Sequence, residues 1–319
     1  MRREYEVVEH LGFEGLHVLL VSMDTRLPHL HRELELGWIL QGSVELHTRL
    51  GSRLLQRGDL YLAGPMEVHS FGGQGGLILS CQISPKLFGT FVPGWERAFP
   101  PAAGPINDGG PRCTLTQYCM LRLALAYFDR AADRGLCCFH LTTELLYHVS
   151  RLVASEETAA AEPVRRAKLE RLISVLDRID ENYTQKLLLG DIAAAENVSM
   201  PYLSHAFKEA FGMSFQEYLC RRRFEHACRL IAQTDRSVLD IALSSGFSDA
   251  KYLNRAFRRR YGCTPKEFRG MGPAGQTGAV RPTVDAQYLF PRQQALQALR
   301  PLLAEFEPRR AELGMLALD

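Results

Sequence analysis

No stretch of this 319-residue sequence holds the roughly eighteen consecutive apolar residues that a membrane-spanning helix needs. The chain therefore reads as soluble. Zinc-ligand cysteine pairs are missing as well: the eight cysteines are spread without that spacing, and free thiols fit a reducing compartment. Residues 1–10 are charged, so they do not resemble the apolar core of a signal peptide. These absences together predict a cytoplasmic protein with no membrane partner. A strong overall charge is lacking too, the net being only +2.

That small balance hides an uneven distribution. Residues 164–270 hold 19 Lys and Arg against 13 Asp and Glu, leaving the remainder of the chain net acidic. A basic part joined to an acidic one is the electrostatic footprint of a nucleic-acid-binding module attached to something else. At 46% apolar residues, the chain can bury two cores of ordinary size.

The basic part contains one segment twice. Ile192-Ala193 repeats as Ile241-Ala242, Val198-Ser199 as Phe247-Ser248, and Tyr202-Leu203 as Tyr252-Leu253 after one extra residue. Ala206-Phe207-Lys208 repeats as Ala256-Phe257-Arg258, Phe211-Gly212 as Tyr261-Gly262, and Glu217-Tyr218 as Glu267-Phe268. Each copy predicts a short, small-sided helix, a turn capped by Ser199 or by Ser248 or Asp249, and a second helix that ends at glycine. Leu203 and Phe207, and likewise Leu253 and Phe257, fall four apart on one apolar stripe. Ser204, His205 and Lys208 then face outward in the first copy, and Lys251, Asn254, Arg255, Arg258 and Arg259 in the second. Such donors can reach phosphates or base edges of double-stranded DNA. An amphipathic helix over 215–232 would set the spacing of the two units. Arg221-Arg222-Arg223 within it reads as a solvated helix face.

These residues resemble the DNA-binding domain of AraC/XylS-type transcriptional regulators. The resemblance implies an all-α double helix-turn-helix fold whose two recognition helices enter successive major-groove segments of promoter DNA. It also implies RNA polymerase as a partner. His205 stands where the family often has Arg.

The N-terminal part changes pattern. Short apolar runs at 17–21, 37–40, 44–47, 60–62 and 77–81, with turns at Gly51-Ser52 and Gly58-Asp59, predict the strands of a small barrel. A Pro- and Gly-rich connection over 93–111 leads to helical stretches at 115–134 and 136–153. The overall expectation is a multi-domain α+β chain. It comprises a β-barrel over 1–112, a helical segment over 113–154 that pairs two subunits, a linker over 155–163, the DNA-binding domain over 164–270, and a tail over 271–319. The tail is expected to begin flexibly and to carry a docking helix over 291–307, kinked at Pro301.

His29, His31 and Glu35 share one face if their segment is a single extended strand, and His69 can join them from a neighbouring strand. Trp38 has the opposite parity and should pack outside the lumen. With Gly42 and Gly58, this set resembles the two motifs of cupins. Met23, the displaced Pro65 and Met66 depart from that pattern. The resemblance implies a divalent metal at His29, His31, Glu35 and His69, with Zn, Ni, Mn and Fe all suited to imidazole and carboxylate donors. In AraC-type sensors, the corresponding lumen instead binds a small effector such as a sugar, here by direct hydrogen bonds from the same four residues. A purely structural role is the third alternative.

Two functions follow. One is a ligand-responsive, homodimeric, non-enzymatic regulator; the other is a metal-dependent cupin isomerase or dioxygenase fused to a DNA-binding domain. An alkyl-transfer repair regulator is disfavoured, because its four-cysteine zinc arrangement is absent. Cys137-Cys138 reads as helix packing.

Overall fold

A computed structural model of the chain describes residues 4–6, 13, 15–88, 99, 103–106, 110–129, 133–153, 163–270, 287–306 and 308. Two compact units emerge from its contacts: residues 10–160 together with 284–319 form one, and residues 2–9 with 161–283 the other. Most of the connection at 93–111, the linker at 155–162 and the first part of the tail, 271–286, lie outside the described residues.

After a two-residue strand at Glu4–Tyr5 (β1), the first unit is an antiparallel, nearly closed barrel. Its strands are Leu16–Leu30 (β2), Leu34–Gln41 (β3), Ser43–Thr48 (β4), Gly51–Gln56 (β5), Leu60–Ala63 (β6), His69–Ile83 (β7) and Ala103–Pro105 (β8). β7 is the axis of the arrangement. Its second half is flanked by β2 and β3, with Leu20 and Trp38 both opposite Leu79, while its first half pairs with β4. The expected turn at Gly51-Ser52 sits slightly earlier, because Gly51 and Ser52 already pair with Thr48 and His47. Alternation sorts the side chains of the curved sheet. Val21, Met23, Ile39, Val44, Leu46, Leu55, Tyr61, Phe71 and Ile78 form the lumen core.

Leu36, Trp38 and Leu40, of the other parity, join a larger core outside the lumen. That core is completed by a helical hairpin, Pro111–Phe128 (α2; a one-turn helix at Pro85–Phe88 is α1) and Arg134–Val153 (α3). The first of these helices starts and stops earlier than the expected 115–134. Pro111 suits the first turn, where an N–H is dispensable, and the helix ends with Asp129 in an extended conformation.

The tail supplies the last layer of this unit. Gln287–Leu289 (β9) pairs antiparallel with Val21–Met23 of β2, and Phe290 N–H donates to the Leu20 carbonyl at 2.9 Å. Arg292–Leu299 (α11) follows, then a 3-10 turn at Arg300–Leu302 containing Pro301, then Leu303–Phe306 (α12). Ala295, Leu299 and Phe306 are buried in the hairpin core. The Phe306 ring meets Trp38 edge-on at 6.1 Å and Tyr118 at 5.4 Å. Arg57 and Glu305 form a rim ion pair at 3.1 Å.

The second unit is helical: Pro163–Asn182 (α4), Leu189–Ala195 (α5), Met200–Phe211 (α6), Phe215–Gln233 (α7), Val238–Ser244 (α8), Ala250–Tyr261 (α9) and Pro265–Gly270 (α10). The internal repeat extends to the caps. Ser199 accepts from Tyr202 N–H and Asp249 from Lys251 N–H, while Gly212 and Gly262 close the helices in left-handed conformations. Ser214 with Glu217, and Thr264 with Glu267, then make the same reciprocal cap, satisfying two backbone donors each.

Truncating Phe306 to Ala would leave a void between Trp38 and Tyr118. The expected cost is about 3–5 kcal/mol, read as a lowered melting temperature of the full chain with the second unit's helix signal retained.

Candidate effector centre and nucleic-acid interface

The four lumen residues singled out by the sequence converge, although not from a single strand. His29 closes β2, His31 follows it, and the chain bends at Arg32-Glu33 before Glu35 enters β3. His69 opens β7 directly across from His29 in the strand register. The bend corrects the one-strand expectation. It changes which backbone carries Glu35, yet the groups still gather: the His29 and His69 rings lie 4.3 Å apart, His31 and His69 5.2 Å, and all four residues are buried.

Each imidazole is oriented by backbone. Nδ1 of His29 donates to Leu27 O at 2.9 Å, Nδ1 of His31 to Glu33 O at 3.0 Å, and Nδ1 of His69 to Glu67 O at 3.0 Å. A carbonyl can only accept, so each Nδ1 carries the proton. One ring nitrogen from each histidine lies within 4.8 Å of the others. Nε2 of His69 is buried without a hydrogen-bond partner.

Glu35 is held by three donors: Tyr61 OH at 2.6 Å to Oε1, and Gln82 Nε2 and His31 Nε2, both at 2.9 Å, to Oε2. Burial would push this carboxyl up. The bonded His31, with His69 Nε2 at 3.8 Å, more than offsets that and holds it well below the ordinary carboxylate range. Since His31 Nδ1 already donates, its contact with Oε2 requires either a doubly protonated ring or a cation shared between nitrogen and oxygen. Three imidazoles fixed through their second nitrogens, beside one anchored carboxylate, have the donor types and outer hydrogen bonds of a transition-metal centre. The residues present fit such an ion.

Tyr61 and Gln82 escaped sequence reasoning. Gly37 was the available clue for Tyr61: a Cβ there would lie 2.0 Å from the Tyr61 ring, so only glycine lets the ring cross β3 to reach Glu35. Gln82 faces Glu35 in the register of β3 and β7, a pairing that spans forty-seven residues and leaves no local signal. Met66, where the cupin motif has glycine, nonetheless adopts a left-handed φ of 65°. Strain of about 1–3 kcal/mol is thus held in the turn before His69, secured by Met66 N–H donating to His31 O at 2.8 Å. Trp38 packs outside the lumen under Phe306.

In the helical unit, α6 buries Leu203, Ala206, Phe207 and Phe211 and exposes Ser204, His205 and Lys208. α9 buries Leu253 and Phe257 and exposes Lys251, Arg255, Arg258 and Arg259. Asn254 is half-buried, and its amide donates to Ala250 O at 3.0 Å. Two exposed tyrosines, Tyr202 and Tyr252, occupy equivalent first-turn positions, as the repeat in the sequence pairs them.

The basic run in α7 is not a solvated face. Arg222 bonds Asp180 at 2.8 Å and Glu225 at 2.9 Å, while Arg223 donates to the carbonyls of Tyr183 and Gln185 at 2.6 and 2.8 Å. Just past the C-terminus of α4, carbonyls lack helical donors, and Arg223 supplies them. Gly246 permits this approach. Its φ is +86°, and a Cβ there would lie 2.8 Å from both Arg223 Nε and Thr184 O.

Comparison with known proteins finds relatives of the helical unit. Residues 192–271 match the family model described as a helix-turn-helix domain. The chain is 34% identical over 129 residues to the uncharacterized HTH-type transcriptional regulator YijO of Escherichia coli K12, covering 40% of this chain and 44% of that protein. It is 31% identical over 245 residues to an uncharacterized HTH-type transcriptional regulator of Staphylococcus aureus strain MSSA476, covering 76% of this chain and 32% of that one. The matched regions thus span less than half the length of either relative. Among solved structures, the C-terminal domain of the two-component response regulator yesN from Fusobacterium nucleatum is 34% identical, with 31% of this chain and 98% of that chain covered at a TM-score of 0.30. ToxT from Vibrio cholerae O395 is 14% identical, with 82% and 99% covered at a TM-score of 0.43. Residues 192–271 thus carry a helix-turn-helix domain of the kind found in these transcriptional regulators. Among the described residues, no helix is long and apolar enough to cross a membrane.

Glu35→Gln removes the buried charge while keeping the shape. A carboxyl with a depressed folded-state pKa contributes stability that is present above its unfolded pKa and lost as pH falls through the folded one. The wild type should therefore exceed Glu35→Gln at neutral pH by about 3–5 kcal/mol, the usual cost of breaking a buried ion pair, and the gap should close in acid. Denaturant titrations across pH would read it; a gap independent of pH would contradict a charged Glu35.

Proposed function

We propose that this chain is a cytoplasmic, ligand-responsive transcription regulator that binds double-stranded promoter DNA. In this reading, the barrel senses a small polar effector, such as a sugar, at a divalent transition metal held by His29, His31, His69 and Glu35. The observation that carries the sensor half is the convergence of the imidazoles: three Nδ1–H groups are committed to carbonyls, and one ring nitrogen of each histidine lies within 4.8 Å of the others. A bound metal would supply a Lewis-acidic point for effector oxygens, with Zn, Ni, Mn or Fe compatible with the donors. Tyr61 and Gln82 keep the carboxylate in place. That immobility, with all three contacts already made, supports a ligand role for Glu35 rather than that of a mobile general base.

The proposed DNA contacts are Ser204, His205 and Lys208 from the first recognition helix and Lys251, Asn254, Arg255, Arg258 and Arg259 from the second. A homodimer is supported by Leu136, Phe139 and Tyr147, which lie along one side of α3 and are 79%, 37% and 62% exposed, an apolar stripe that a second copy would cover. Effector binding would shift the population of arrangements available to the DNA-binding units, and with it promoter occupancy and contact with RNA polymerase.

Two experiments test this. Full-length protein mixed with sugars, small acids and divalent metals should gain thermal stability by mass action, and the gain from metal should shrink in a His29→Ala, His69→Ala double variant. No stabilisation by any metal would remove the centre from the proposal. For the DNA half, Arg255→Ala with Arg258→Ala should leave the melting temperature within a few degrees and weaken promoter binding at least tenfold, with a shallower salt dependence of about 0.9 per lost phosphate contact. A stably folded double variant with unchanged footprint and salt slope would refute the assignment.

A further inference from the structure

A second set of metal-ligating groups lies outside the lumen, on the helical hairpin. Cys119 is on the buried side of α2, and Glu144 and His148 are four residues apart on α3, hence on one face. One ligand atom from each lies within 4.8 Å of the others. Cys119 is buried, and the other two are half-buried, so the cluster sits at the edge of the core with a route to solvent. Arg122, one turn beyond Cys119, donates to both Glu144 oxygens at 3.3 and 3.1 Å. This fixes the carboxylate against the hairpin. Each carboxylate oxygen can take a further partner, so the arginine orients Glu144 without exhausting it.

We propose that Cys119, Glu144 and His148 form a second divalent-metal site, suited to zinc, which clamps α2 to α3. A water completes the tetrahedron, or His140, whose Nε2 is 4.0 Å from Glu144 Oε2. Thiolate, imidazole and carboxylate together select borderline ions such as Zn over Mg or Ca, which prefer oxygen alone. Without an ion, burial and then the Glu144 charge push the Cys119 thiol up to about 12, and burial pushes the His148 imidazole down. On binding, the S–H bond breaks, a metal–sulfur bond forms, and one proton leaves to solvent; no oxidation state changes. A buried cysteine that served only as packing would account for its own burial, but not for a carboxylate and an imidazole both gathered within 4.8 Å of its sulfur.

Cobalt(II) titration of the full chain tests the site. The donor set assigned to the barrel contains no sulfur, so a thiolate-to-cobalt charge-transfer band in the near ultraviolet that is lost in Cys119→Ser reports the hairpin. The band should persist in His69→Ala, where the barrel centre is broken, and saturate there at one equivalent per chain; it should disappear in Cys119→Ser and weaken at least tenfold in affinity in His148→Gln. Absence of the band at saturating cobalt, or its survival in Cys119→Ser, would overturn the proposal. Should Cys119→Ser fail to fold, His148→Gln decides the matter: unchanged affinity there is equally fatal.

Discussion

The barrel's polar centre is organised by one buried negative charge. Glu35 is removed from water and could not remain ionised without donors aimed at it. Tyr61, Gln82 and His31 are those donors, and each imposes a condition on the surrounding chain. Tyr61 needs residue 37 to lack a side chain, Gln82 needs β3 and β7 in their observed register, and His31 needs the bend at 32–33. Meeting these conditions brings the remaining histidines to the same point. Each is then turned by a carbonyl two residues earlier or later, so the local backbone sets the rings and the carboxylate sets where they meet.

The helical unit uses its cations in two different ways. Arg222 and Arg223 are consumed internally, neutralising Asp180 and Glu225 and finishing the end of α4. Arg255, Arg258 and Arg259, on a helix whose opposite side is filled by Leu253 and Phe257, stay outside. A basic cluster in sequence therefore does not mark which cations stay exposed; position relative to the apolar stripe does. The repeated caps give both recognition helices matching start and stop points, which is why the two copies keep equivalent exposed positions despite the extra residue in the second turn.

Much of this was legible in advance, for physical reasons that differ between the units. Helix 200–211 was readable to the residue because Ser199, Pro201 and Gly212 mark its ends locally, and the duplication checked each assignment against the other. The barrel was readable only as strand fragments. β2 and β7 run fifteen residues each, far past their apolar stretches, because pairing on both sides stabilises polar and glycine-containing backbone that shows no alternation. The histidines were identifiable by type and spacing, whereas the bend between His31 and Glu35 depends on which strands pair, and Tyr61 and Gln82 reach Glu35 only through sheet register. Arg222 and Arg223 were misread because their partners lie some forty residues away, in and just beyond α4.

The return of the tail makes the barrel unit discontinuous along the chain, with the DNA-binding domain inserted between its two pieces. A fragment ending near residue 160 is consequently not an independent module. It would leave the outer edge of Val21–Met23 without its neighbouring strand and strip the cover from Trp38, turning a buried seam into a wet, adhesive one. Trimming the C-terminus of this protein amounts to pulling a keystone from a wall built at the other end of the sequence.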